Sequence, residues 1–141
     1  MTNTYKTLKE KHQEEVNNFP MAFAFSEEQV KEGLVKLGLS PEDRDKVCSI
    51  PGGGFIRKTD AQALNDMFVR HAKEKQEAIN GDTTGEGYIF DMFRYELANH
   101  EYGYTMELDD TLDALGYTFE DIEKSEKLTK GITLAHKALV G

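Results

Sequence analysis

Glu96 and His100 lie four residues apart in a predicted helix, so both side chains lie on one helical face. A metal site needs three or four ligands, and Asp91 would add a third to this pair. A zinc site of the HExxH type needs two histidines on one helix, which this segment lacks. A structural interpretation is simpler, because His100 falls near a helix C-terminus, where pairing with Glu96 or Glu101 is favourable. A small metal-dependent enzyme that uses Glu96, His100 and Asp91 stays open as an alternative.

The segment GDTTGEGYIFDMF, residues 81–93, resembles the start of a calcium-binding loop. Asp82, Thr84 and Glu86 take the first, third and fifth positions of an EF-hand loop. The twelfth position needs a bidentate carboxylate, but it is Phe93. We therefore interpret the segment as a loop that leads the chain into a helix, and we predict no metal site.

The glycine loop PGGG, residues 51–54, precedes Arg57 and Lys58 but matches neither of the phosphate-binding glycine patterns. A strand is predicted after it, so the glycines are better explained by a tight turn. Cys48 has no nucleophile signature around it, and no glycine-framed serine is present. We expect a protein that is not an enzyme, without catalytic residues and without cofactors.

The most unusual segment is YELANHEYGYTMELDDTLDALGYTFEDIE, residues 95–123, which has nine Asp and Glu but no Lys or Arg. Elsewhere in the chain the remaining 17 acidic side chains are balanced by 17 basic ones. The formal charge of −9 therefore comes entirely from this segment. A surface of one sign attracts partners of the opposite sign, so a basic protein is the predicted partner.

Some of these acids have a predicted structural role. Glu120 and Asp121 follow a glycine stop and Thr118, a pattern typical of a new helix with acids in its first turn. The same pattern occurs at Gly38 and Ser40, where a short helical turn through Arg44 is predicted. The same local pattern for ending one helix and beginning the next, used independently at two places, explains this internal similarity more simply than a sequence duplication does.

The acids that need another explanation lie between residues 107 and 113. In a helix over 107–115, the leucines share one face while Asp109, Asp110 and Asp113 project from the other. Such a row can imitate the closely spaced charges of duplex DNA, and tyrosine is enriched at protein interfaces. The predicted partner-binding residues are Glu107, Asp109, Asp110, Asp113, Tyr102 and Tyr104. The alternative is a solubilising face without a partner.

Helices are the main elements predicted to position these residues. Apolar spacing at helical period predicts helices over residues 4–17, 27–37, 61–80, 86–101 and 107–115, and a last one through Leu128 and Leu139. Ser26, three residues before Gln29, is the predicted N-cap of the second helix.

Three short strands complete the prediction. Strict alternation in FPMAFAF indicates a strand near 19–25 that buries Phe19, Met21, Phe23 and Phe25. VCSI and FIRK, on either side of the glycine loop, indicate a hairpin with strands near 47–50 and 55–58. We therefore predict an α+β fold, a mostly helical single domain over residues 1–141 with a small antiparallel sheet.

Composition limits the class of partner and the compartment. The N-terminus is charged and helical in character, and no apolar run approaches the 18 or so residues that span a bilayer. The lone Cys48 fits a reducing environment, so a cytoplasmic protein is expected. A charge of −9 disfavours direct binding to nucleic acid or to an anionic membrane.

Three strings carry a resemblance: NFPMAFAFSEEQVKEGL at 18–34, GGGFIRKTD at 52–60 and YELANHEYGYT at 95–105. They resemble small acidic proteins that phages and mobile elements of gut bacteria carry, and the chain is similar in length and sequence to a type II anti-CRISPR inhibitor. The resemblance runs from about residue 4 to the C-terminus and implies a class rather than residue roles. It implies a bacterial cytoplasm and, as partner, the RNA-guided Cas nuclease of type II systems or its guide-RNA complex. That nuclease holds its heteroduplex in a positively charged channel. A phage or mobile-element protein that binds a different basic host protein stays open as an alternative.

Overall fold

The computed structural model describes residues 2–141 as eight α-helices and one three-stranded sheet. The helices are α1 (Thr4–Asn17), α2 (Glu27–Lys36), α3 (Ala61–Gly81), α4 (Tyr88–Asn99), α5 (Tyr102–Thr105), α6 (Asp109–Leu115), α7 (Phe119–Glu123) and α8 (Glu126–Val140). The strands are β1 (Ala22–Phe23), β2 (Val47–Ile50) and β3 (Gly54–Arg57). The predicted α+β class, mostly helical with a small antiparallel sheet, is confirmed.

The chain forms two compact units. The first unit comprises Met1–Gln13 together with Lys73–Gly141, and the second comprises Glu14–Ala72. Because their bounds cross these limits, α1 and α3 contribute residues to both units. The single domain over residues 1–141 stays a prediction.

The second unit is built on the sheet, in which β3 lies between β1 and β2 and pairs antiparallel with both. The β2–β3 hairpin turns through Gly52 and Gly53, whose φ angles of 87° and 84° are strained for other residues. Helix α2 begins as predicted, because the Ser26 hydroxyl accepts a hydrogen bond from the Gln29 backbone N–H at 3.2 Å.

The predicted strand near 19–25 is shorter than expected, and its buried face is wrong. Only Ala22–Phe23 pairs with β3, and Ala22 is buried while Phe23 and Phe25 are 52% and 82% exposed. Small residues are required on the inner side because α2 approaches closely: a Cβ on Gly33 would lie 2.9 Å from the Ala22 Cβ. The side chains of Ala22 and Phe23 do point to opposite faces, but the alanine, rather than the phenylalanine, lies on the face that packs against α2.

The repeated glycine pattern also has two different outcomes. Gly38 and Gly116 both end a helix with positive φ, at 80° and 78°. Thr118 then forms a capping box with Asp121 and begins α7, as predicted. After Ser40 the chain forms a turn, in which the Asp43 backbone N–H donates to the Ser40 carbonyl at 3.0 Å, and a short 3₁₀ helix, Arg44–Lys46, follows before β2. The chain has too little length for an α-helix here, because β2 follows closely and its first residue, Val47, pairs with Arg57 in the sheet.

An ion pair on α1 and α3 makes the second unit sensitive to acid. The Arg70 guanidinium hydrogen-bonds the Glu15 carboxylate, and His71 Nε2 lies 3.3 Å from it. These contacts, led by the Arg70 hydrogen bond and opposed by partial burial, lower the pKa of Glu15 to about 2. Because the folded pKa is depressed, the contribution is present above the unfolded value of about 4.3 and is lost as the pH falls towards 2.

Replacing Glu15 by Gln should therefore lower the melting temperature at neutral pH and have less effect as the pH falls. At neutral pH the wild type keeps a charged pair that the variant lacks, whereas near pH 2 Glu15 is protonated in the unfolded state and about half protonated in the folded state. Melting curves of both proteins across this range measure the difference. A difference in melting temperature that is the same at pH 7 and at pH 2 would contradict the assignment.

The core of the first unit lies between α4 and α8. Ile89, Phe93 and Leu97 of α4 are fully buried, and α8 contributes Leu128 and Ala135 to the same cluster. The two helices approach closely at Gly131, where a Cβ would lie 2.5 Å from Ile89 Cγ2. Leu112 of α6 and Ile122 of α7 extend this core, so the acidic segment is packed on its inner side.

The loop before α4 is organised around the Asp82 carboxylate. It accepts hydrogen bonds from four backbone N–H groups: those of Thr84 at 3.2 Å, Gly85 at 2.8 Å, Gly87 at 3.1 Å and Ile89 at 2.9 Å. Burial opposes ionisation, but these N–H groups outweigh it and lower the pKa of Asp82. The carboxylate thus serves as an internal cap, in agreement with the predicted helix-entry loop.

Candidate protein-binding surface

Glu96 is a buried carboxylate with partners on α1 and at the C-terminal end of its own helix, α4. It accepts a hydrogen bond from the Tyr5 hydroxyl at 3.0 Å and pairs with Lys9 Nζ at 2.9 Å. His100 Nε2 lies 3.6 Å from it, which is the pairing predicted from their spacing. Burial, followed by the Glu96 charge, raises the pKa of Tyr5. The ammonium of Lys9 also lies 5.2 Å from the centre of the Tyr95 ring, so a cation–π contact supports the pair.

These contacts give Glu96 and His100 a structural role in the first unit. Asp91, the third residue of the metal-enzyme alternative, accepts hydrogen bonds from the Thr4 backbone N–H and hydroxyl at 2.8 and 2.6 Å. Within residues 2–141, no three His, Cys, Asp or Glu side chains are grouped so that they could hold a metal ion. Through its two hydrogen bonds with Thr4, Asp91 connects α4 to the start of α1.

The carboxylates predicted to contact a partner are all exposed. Glu107, Asp109, Asp110 and Asp113, which we call the acidic face, form no ion pair or side-chain hydrogen bond with any described residue. Leu112 is buried, and Leu108 and Leu115 pack against the same core. The predicted arrangement of α6, with leucines inside and carboxylates outside, is therefore present.

Asp109 and Asp110 also occupy the first turn of α6, which has no side-chain cap. Carboxylates there interact favourably with the helix dipole, typically by about 0.3–1 kcal/mol each when exposed. Asp113 lies beyond the first turn, and Glu107 lies before the helix. The dipole therefore accounts for only part of the charge on this surface.

Other acids of residues 95–123 are engaged within the fold. Glu120 pairs with Lys124 at 2.7 Å, and the Asp121 carboxylate accepts the Thr118 backbone N–H at 2.9 Å. Glu96 is buried, as described above. The acids of this segment therefore have different environments. The acidic face is its central part, whose carboxylates have no partner among the described residues.

The two predicted tyrosines have opposite environments. Tyr104 is 94% exposed, as a contact residue should be. Tyr102 is only 6% exposed, and its hydroxyl lies 2.6 Å from His136 Nδ1. We therefore do not retain Tyr102 as a contact residue, because the pairing with α8 removes its side chain from the surface. Its position fixes α5 against α8.

Helix α5 presents Tyr104 between two strained residues that sequence reasoning missed. Glu101 before it and Met106 after it have φ angles of 57° and 60°, in the left-handed region. For residues other than glycine this conformation costs about 1–2 kcal/mol. Such strain concentrates at binding sites, where it holds a side chain in place. No sequence signal marked these positions, since neither residue is Gly or Asn.

The fold and this surface define a small α+β protein with an acidic face unpaired among residues 2–141 and an exposed tyrosine, Tyr104, that precedes it in the chain. The chain belongs to the DUF7659 family, a family of unknown function whose model matches residues 4–138. No curated protein and no solved structure matches the chain. None of the helices in residues 2–141 has the length and apolar character needed to cross a membrane.

Proposed function

We propose that this protein is a non-enzymatic inhibitor that binds a basic protein through the acidic face and Tyr104, and that its partner is the RNA-guided nuclease of type II CRISPR systems or its guide-RNA complex. The observation that carries the proposal is the set of four exposed carboxylates without partners among residues 2–141. Bound to a channel that normally holds nucleic acid, this face would exclude DNA. The same proposal implies that the protein acts in the bacterial cytoplasm.

Charge and shape support a protein partner. Carboxylates that have no partner in the described part of the chain keep their full interaction with an incoming Lys or Arg, which raises the association rate more than the affinity. Tyr104 adds a large, rigid contact area at low entropic cost. The choice of nuclease comes from the sequence resemblance, whereas the basic nature of the partner comes from the charge.

A DNA-cleavage assay tests the class of function. Purified protein is added to type II nucleases already loaded with guide RNA, and separately before loading, at increasing molar ratio and low salt. Inhibition that weakens as salt increases supports the proposal, because exposed charges are screened over about 8–10 Å. Unchanged cleavage by all nucleases tested, with no binding in a pull-down, would reject it.

Neutralising the acidic face should reduce binding without unfolding the protein. The variant Asp109→Asn/Asp110→Asn/Asp113→Asn removes three exposed charges, and we expect about tenfold weaker binding, mainly through a slower association rate. Surface-based kinetics at two salt concentrations measure both rates. Circular dichroism checks that α6 survives the loss of its dipole interactions.

A matched control separates local charge from total charge. Glu14→Gln/Glu28→Gln/Glu32→Gln removes the same number of exposed charges from residues outside the acidic face. It should bind the partner almost as the wild type does. Equal weakening by both triple variants would mean that the net charge, rather than this surface, drives association.

A further inference from the structure

A groove lies at the C-terminal ends of α4 and α8, next to the exposed Tyr104. One cavity of about 510 Å³ is lined by Ala98, Glu101, Gly103, Tyr104 and Leu139. A second, of about 430 Å³, shares Ala98 and Leu139 and extends towards Arg94 and Lys6. Both are open depressions of the surface, and because they share Ala98 and Leu139 we treat them as one groove with an apolar floor and charged ends.

The walls of this groove are held by specific contacts. The Tyr102 hydroxyl pairs with His136 Nδ1 at 2.6 Å and so attaches α5 to α8. At Gly103 the backbone comes near the end of α8, since a Cβ there would lie 3.8 Å from the Leu139 carbonyl oxygen. A preformed groove loses little conformational entropy when it binds a ligand.

The charges at the two ends differ in sign. The Arg94 side chain is exposed and makes no ion pair or hydrogen bond with a described residue, and among those residues the ammonium of the nearby Lys6 pairs with Glu10 alone, at 3.8 Å. Glu101, at the other end, is exposed and has no ion pair among the described residues. The groove thus has a cationic end on a chain of net charge −9. Screening over about 8–10 Å allows such a local cation to act independently of distant acids.

We propose that this groove docks a short segment of a protein partner, one that places an apolar anchor side chain on Ala98 and Leu139 and an acidic side chain against Arg94. Charge complementarity selects this occupant, because a carboxylate can form a bidentate pair with a guanidinium. The anchor removes apolar floor from water and packs against Tyr104. Tyr104 belongs to both proposed contacts, but the acidic face recognises charge of the opposite sign.

Selection from a phage-displayed library of random linear peptides on the immobilised full-length chain tests the proposal. We expect enrichment of peptides with a large apolar residue close to an Asp or Glu. Their synthetic versions should bind about tenfold or more weakly to Ala98→Trp, which fills the groove, and to Arg94→Glu, which reverses its cationic end.

The control is Ala63→Trp, which adds the same side chain at an exposed helical position outside the groove and should bind as the wild type does. Circular dichroism establishes that all variants are folded. Failure to enrich such peptides, or equal binding by wild type and Ala98→Trp, would overturn the proposal. The test requires no nuclease, so its result is independent of the inhibitor function.

Discussion

Replacing Asp82 by Ala is expected to destabilise the protein by about 3–5 kcal/mol, a large share of the 5–15 kcal/mol typical of a domain. The Asp82 carboxylate accepts four backbone N–H groups, and the bonds from Gly85 and Ile89 are buried. Without it, these buried donors lack an acceptor, at about 1–3 kcal/mol each. Urea unfolding followed by circular dichroism measures the change.

Two further variants make the Asp82 prediction specific. Asp82→Asn keeps one acceptor oxygen and should cost about half as much as Asp82→Ala. Asp45→Ala removes an exposed carboxylate that has no partner among residues 2–141 and should change stability by no more than about 0.5 kcal/mol. A loss below about 1 kcal/mol for Asp82→Ala would mean that water replaces the carboxylate, and that the loop does not depend on it.

Replacing Gly85 by Ala is expected to cost about 4 kcal/mol or more. The φ angle of Gly85 is 90°, and a left-handed conformation alone costs a residue with a Cβ about 1–2 kcal/mol. A Cβ at this position would also overlap the backbone carbonyl oxygen of Lys127 in α8. Backbone cannot move as a flexible side chain does, so either the Asp82 loop or the start of α8 must shift. The same unfolding measurement applies.

Glycines elsewhere in the chain separate the cost of the left-handed conformation from the cost of the steric overlap. Gly38 and Gly116 have φ angles of 80° and 78°, but a Cβ on either would meet nothing within 4 Å. Gly38→Ala and Gly116→Ala should therefore show the conformational cost alone, about 1–2 kcal/mol. If Gly85→Ala costs no more than these, the close approach of the loop to α8 is wrong.

Both stability predictions concern the loop around Asp82. The sequence was sufficient to predict that this segment is a loop, but not that the stability of the protein depends on it. The missing carboxylate at Phe93 was enough to disfavour calcium, and the glycines indicated a loop. The four hydrogen bonds to Asp82 were not predictable, because they depend on how the loop folds back around one side chain. The overlap at Gly85 depends further on α8, about forty residues away along the chain.

The surface proposed to bind a partner shows the same division. Periodicity placed the carboxylates of α6 outside because the alternative would bury three charges and expose its leucines. Tyr102 and Tyr104 could not be distinguished in this way, since helix α5 is a single turn between left-handed residues. A hydrogen bond to His136, 34 residues later, determines which of the two is exposed.

By itself, the sequence determined the features that depend on neighbouring residues: the helical periods, the glycine stops, the hairpin and the separation of leucines from carboxylates on α6. These follow from local sterics and from the cost of burying charge, which act over one or two turns. The tertiary structure alone decided which face of the Phe-rich strand is buried, which tyrosine is exposed, and that Glu96 pairs with Tyr5 and Lys9. These outcomes depend on packing between residues as much as 91 positions apart, where one close approach, such as that of Gly33 to Ala22, outweighs local hydrophobicity.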